Sequence, residues 1–252
     1  MSEADNVSCD SKPLVLPESH SSWSTHQDPW NMTVVSSDRV TFYVPKSLME
    51  RHCLPSDNND PNHLACQPIF LTDAFCETSD SVSFFLFALT NDVFPRDKAN
   101  LGQKPVKTFH ASIELATKWD CPLVLRTLEG WLSRLAFERW DDDHFKPLEF
   151  FFLAAKGDMP NVARMVIELW DPVPLGEEQF KRYETVAPHW DLHLPRTTEG
   201  CEAWNPANWI HKGWSEVGLD YVFALCQCYR EMDRQKRGQL FMKGLIEHSR
   251  RY

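Results

Sequence analysis

Few side chains in this sequence have types and spacing that could support chemistry. His189 and His193 stand four apart in HWDLH, a separation that on a helix would place two imidazoles on one face, as a zinc site requires. Pro188 and Pro195 flank them and argue against a helix. No Glu fills the general-base position of a zinc-hydrolase pattern, and no third ligand is evident, so no metal site is expected. Asp141-Asp142-Asp143-His144 sets three carboxylates beside an imidazole. Acids just before a helix also complement its positive end, and a capped, solvated turn is the reading adopted. Cys226 and Cys228 lie two apart in a helical pattern, where such neighbours face different directions. Two buried helix thiols are expected there, not a redox couple. Lys236-Arg237 in RQKRGQ is a weak nuclear-localisation patch, and an exposed basic helix end is the simpler reading.

Phosphate chemistry finds little support. The chain has only nine Gly and lacks GxSxG, GxGxxG and a Gly-rich phosphate loop. Close backbone approach to a phosphate is what such glycines permit. Catalysis and bound cofactors are therefore not expected. One alternative is kept: an enzyme or small-ligand binder using the Trp- and His-rich segment 188–214, with His189, His193, Trp190, Trp204 and Trp209. The competing reading of those tryptophans, as a clamp on the terminal helix, is favoured.

The composition is that of a chain with a sizeable core, 42% apolar and 12% aromatic over 252 residues, enough for one ordinary domain plus an extension. A formal charge of −10 disfavours nucleic-acid phosphates, because affinity there comes from clustered Lys and Arg. Residues 1–20 show neither a basic start nor a long apolar stretch, so no secretory signal is expected. The longest apolar run, Phe84 to Leu89, is too short to span a bilayer. Eight scattered cysteines without a CxxC pair read as reduced thiols, and a cytoplasmic or nuclear setting is expected.

The elements that would position these groups can be placed in order. Residues 1–27 are polar and Pro-containing and read as a disordered arm. Met32, Val34 and Val35 form a first strand, Ser36-Ser37-Asp38 a turn, and Val40, Phe42 and Val44 alternate with Thr41 and Tyr43 in a second strand. Pro45 ends it and a short helix starts at Lys46. Leu54 to His63 reads as a loop and Gln67–Leu71 as a third strand. Val82, Phe85, Leu86 and Leu89 mark a helix over 81–90. Further helices are expected at Thr108–Lys118, from Pro122 through Leu135, at Pro147–Ala155 and Met159–Trp170 hinged at Lys156-Gly157-Asp158, and one or two over 213–249. The final helices carry Val217, Tyr221, Val222, Leu225 and Tyr229 as one stripe and Leu240, Phe241, Leu245 and Ile246 as another. Residues 177–212 read as irregular.

The opening NMTVVSSDRVTFYVPKSL and the later ELATKWDCPLVLRTLEGWL resemble the first hairpin and the final helical hairpin of BTB/POZ domains, in particular those of mushroom-forming fungi. Asn31, Arg39 and Pro45 depart from the residues usual at those places. The resemblance spans about residues 29–170. It implies an α+β fold, a small mixed sheet covered by helices, at 28–138, followed by a helix pair to about residue 170; beyond that, patterning alone extends the mostly helical region over 139–252. It also implies a non-catalytic protein–protein interaction module that self-associates as a homodimer or acts as an adaptor for a cullin-type scaffold; the acidic charge and the short apolar runs add that no nucleic-acid or membrane partner is expected. The residues it would place at such contacts are Met32, Val34, Leu48 and Met49, with Phe145 and Phe150 in the helix pair that follows. Met32, Val34, Leu48 and Met49 are each also ordinary core candidates.

Overall fold

The structure, a computed structural model, describes residues 30–53, 68–91, 93–94, 105–138, 147–169, 206 and 217–249. It is α+β, with a three-stranded sheet and eight helices among the described residues. Strand β1 (Asn31–Val35) pairs antiparallel with β2 (Thr41–Pro45), and Val34 lies opposite Phe42. The period-2 pattern puts Met32, Val34, Phe42 and Val44 on the buried face. The turn between the strands is held by Ser36, which is itself buried. Its N–H donates to Val40 O at 2.9 Å, and its Oγ accepts the Val40 N–H at 3.0 Å. Arg39 closes the turn at φ 68°, a left-handed conformation that costs a non-glycine residue about 1 kcal/mol.

Helix α1 (Lys46–His52) follows without a break, and the Lys46 N–H donates to Trp30 O at 3.0 Å. The third strand, β3 (Ile69–Phe70), is shorter than the expected Gln67–Leu71. It lies parallel to β1, giving the order β2-β1-β3. Its side chains alternate: Phe70 points outward, and Leu71 just after it is buried.

Helix α2 (Ser79–Thr90) begins at Thr78, whose side chain accepts the Ser81 N–H. Phe84, Phe85, Leu86 and Leu89 are all buried, so it is enclosed on most sides. It packs on α3 (Pro105–Lys118) and α4 (Pro122–Phe137). Helix α3 begins three residues before the expected Thr108, because Pro105 suits a first turn and Val106 and Phe109 extend the apolar face into the core. Between these helices the ring of Trp131 lies 5.5 Å from those of both Phe84 and Phe94, and Phe84 meets Phe109 at 5.0 Å. Such edge-on pairs add about 0.5–1.5 kcal/mol each beyond their buried area.

Two turns are built alike. After α3, Asp120 takes φ 44°, its N–H donates to Thr117 O at 3.1 Å and the Cys121 N–H to Ala116 O at 2.8 Å. After α5 (Pro147–Lys156), Asp158 takes φ 49°, its N–H donates to Ala155 O at 3.3 Å and the Met159 N–H to Ala154 O at 2.7 Å. This is the paired-bond helix stop, with a left-handed residue after the helix and an apolar one behind it. A proline then opens the next helix in each case: Pro122 in α4 and Pro160 in α6 (Pro160–Leu169). The sequence of both stops is Lys-x-Asp-apolar-Pro. The two helix pairs it creates stack, α3 against α5 and α4 against α6.

Helices α7 (Leu219–Cys228) and α8 (Arg234–Ser249) form a hairpin whose second arm packs on α6. The buried seam of α8 runs through Arg237, Gly238, Phe241 and Gly244. Ile246, expected inward, is instead exposed. It lies five residues beyond Phe241, about 140° further round the helix. The small Gly244 lets α8 approach α7 closely: a Cβ there would stand 2.8 Å from the Cα of Ala224.

Candidate interaction surface

The hairpin and α1 carry most of the residues singled out for self-association. Met32, Val34 and Met49 are buried within this chain. Core packing accounts for their apolar character, and Leu48, half-buried on α1, is the member of that set with surface to offer. Around it α1 is polar: Ser47, Glu50 and Arg51 are exposed, and Lys46 pairs with Glu50 at 3.4 Å. Trp30, just before β1, is 79% exposed, and Phe70 on the short edge strand is 60% exposed. Phe150 is wholly buried in α5, while Phe145 lies outside the described residues.

Beside the hairpin a polar network ties the turn to α2 and α3. The Asp38 carboxylate accepts from Ser36 Oγ at 2.5 Å, Ser79 N–H at 2.9 Å and Ser79 Oγ at 2.6 Å. Burial pulls this carboxyl up, but the hydrogen bonds from Ser36 and Ser79 outweigh it and leave it below the usual value. Glu77 is buried, and its carboxylate accepts the N–H groups of Thr72 and Asp73, each at 2.7 Å, and the Lys118 ammonium at 2.5 Å. The Glu77 hydrogen bond holds the Lys118 ammonium above its ordinary range. With this many donors on one carboxylate, Glu77 fastens the β3–α2 loop to α3.

A second charged group bridges α3 and α5. Glu114 pairs with His110 at 3.6 Å and with Lys156 at 2.6 Å. The His110 hydrogen bond, then Lys156, hold its carboxyl down at about 2 against the pull of burial. Near the chain's end His248 pairs with Asp220, and Tyr221 Oη donates to Asp158 at 3.2 Å.

Two sequence expectations change here. Of the Cys226/Cys228 pair, only Cys228 is buried; Cys226 is exposed, because consecutive seam positions of α7 are taken by Ala224, Leu225 and Cys228. Arg237 is not part of an exposed basic end. It is buried, and its guanidinium donates to Ile167 O from Nε at 3.1 Å and Nη2 at 2.9 Å, and to Glu231 O from Nη1 at 3.1 Å. It thereby satisfies a carbonyl in the last turn of α6, one of the four that a helix leaves unpaired. Only Lys236 of that dipeptide is a surface cation.

Among the described residues no group of three or more His, Cys, Asp or Glu side chains could hold a metal ion, and no helix is long and apolar enough to cross a membrane. Asp141–His144, His189, His193, Trp190, Trp204 and Trp209 lie outside the described residues. The chain matches no protein-family model, no curated protein and no solved structure.

Proposed function

We propose that the chain is a BTB/POZ-like, non-catalytic protein–protein interaction module, which self-associates or serves as an adaptor, in the latter case for a cullin-type scaffold. The observation that carries this reading is an order of elements. A hairpin runs directly into a short helix, a third strand returns parallel to the first, and one enclosed helix and a helical hairpin follow, the latter turned at Asp120-Cys121-Pro122. Both stretches whose residues resemble the family, the opening hairpin and the WDCP turn, fall on corners of that framework. The network around Asp38 and Glu77 fits the same reading, because it fastens the hairpin to the helices.

Self-association is assigned to the α1 side of the sheet, around Leu48 and Trp30. Light scattering on the full chain and on a Leu48→Asp variant tests it. Met49→Asp is unsuitable, since a buried Met replaced by a charge would unfold the domain. A dimer that becomes a folded monomer on Leu48→Asp supports the reading. A wild-type monomer removes self-association and leaves the adaptor role, which pull-down against cullin scaffolds then decides.

A further inference from the structure

We propose that Cys53 and Cys121 form an oxidisable dithiol, able to close into a reversible disulfide between the residue that ends α1 and the residue that opens α4. The Cys53 thiol donates to Cys121 Sγ at 3.1 Å, across 68 residues of sequence. Bonded sulfurs stand at about 2.05 Å, so closure requires an approach of about 1 Å. Both residues are helix caps with non-helical backbone, and helix ends yield more readily than helix interiors. This inference is independent of the self-association reading, although the bond would anchor the helix that carries Leu48.

The two sulfurs have different tasks. The hydrogen bond from Cys53 holds the Cys121 thiol below its ordinary range, against the pull of burial. The same contact and burial push Cys53 up. Cys121 is therefore the sulfur that reacts first and Cys53 the one that resolves. With hydrogen peroxide as oxidant, the Cys121 thiolate attacks one peroxide oxygen. The O–O bond breaks, hydroxide leaves and takes up a proton as water, and Cys121 becomes a sulfenic acid. Cys53 sulfur then attacks the sulfenic sulfur. The S–O bond breaks, and the departing oxygen leaves as a second water with the Cys53 proton. Two thiols and one peroxide yield one disulfide and two waters, the two electrons passing from sulfur to peroxide oxygen.

Cys53 is 3% and Cys121 0% exposed, so peroxide reaches them through local opening. Bulky alkylating reagents would instead find the exposed Cys226. The test uses the full reduced chain. It is treated with hydrogen peroxide, alkylated in denaturant and mapped by mass spectrometry without reduction. The expected product is a Cys53–Cys121 cross-linked peptide that dithiothreitol removes. In Cys53→Ser, dimedone should trap a sulfenic acid at Cys121; in Cys121→Ser, Cys53 should remain alkylatable after peroxide. Full alkylation of both cysteines in the treated wild-type protein, or their linkage to other cysteines, would overturn the proposal. That readout needs no substitution, so a variant that fails to fold leaves it intact.

Discussion

Arg237 reaches back 70 residues to place two of its guanidinium nitrogens on the carbonyl of Ile167. A buried cation serves here as the cap of a helix it does not belong to. Replacing it by an apolar side chain leaves the Ile167 and Glu231 carbonyls without these donors, and each such loss costs about 1–3 kcal/mol. Arg237→Met is expected to lower stability by about 3 kcal/mol in urea titration. Arg237→Lys should recover only part of this, since an ammonium lacks the planar fork.

The left-handed backbone at Arg39 makes the opposite prediction. Its side chain is exposed, and φ 68° suits glycine. Arg39→Gly removes the conformational cost but adds chain entropy to the unfolded state. The net expectation is a gain of about 0.5 kcal/mol, read as a small rise in melting temperature. A loss would mean that Arg39 makes a contact worth more than the strain.

Glu114 should make the α3–α5 junction acid-sensitive. Its carboxyl is held at about 2, first by His110 and then by Lys156, from an ordinary 4.5. A depressed acid contributes stability that is complete above the unfolded-state value and is lost as pH falls toward the folded-state value. Melting temperature should therefore fall between pH 4.5 and about 2, and Glu114→Gln should flatten that part of the profile. An unchanged slope in the variant would assign the acid loss to other carboxyls.

Two glycines in helices should respond oppositely to alanine. At Gly244 the new methyl meets the backbone of Ala224 at 2.8 Å, so α7 and α8 must part, at a cost of about 1–3 kcal/mol. At Gly130 nothing lies within 4 Å, and Gly130→Ala should stabilise α4 by about 0.5–1 kcal/mol. Denaturant midpoints of the two variants, compared with wild type, check both.

What the sequence made legible is what local chemistry determines. The alternation through Val44, the Pro122 start of α4 and the Lys156-Gly157-Asp158 stop could all be read because each is written within a few residues. The long-range pairs could not. Nothing near Cys53 points to Cys121, and nothing near Arg237 points to Ile167, because those partners are chosen by packing. Arg237 reads in the sequence as a surface cation for the same reason: a long polar side chain looks solvated until another helix covers it. Ile246 shows the limit of periodicity, since Gly238 and Gly244 turned the seam of α8 toward small residues that a hydrophobic stripe does not include. On the interaction surface, apolar character alone did not separate Leu48 from the buried Met32, Val34 and Met49.

The middle position of β1 sets an order of events during synthesis. One edge of β1 can be satisfied as soon as Pro45 has emerged, because β2 is its immediate neighbour in the chain. The other edge waits for Ile69 and Phe70 and for closure of the connection between them. Until then a nascent chain carries a hairpin with an open row of backbone donors and acceptors, the kind of edge that recruits a foreign strand. A ribosome stalled between those two points would hold out a sticky half-sheet, and the two-residue β3 is the short latch that later covers the Val34–Val35 end of that edge.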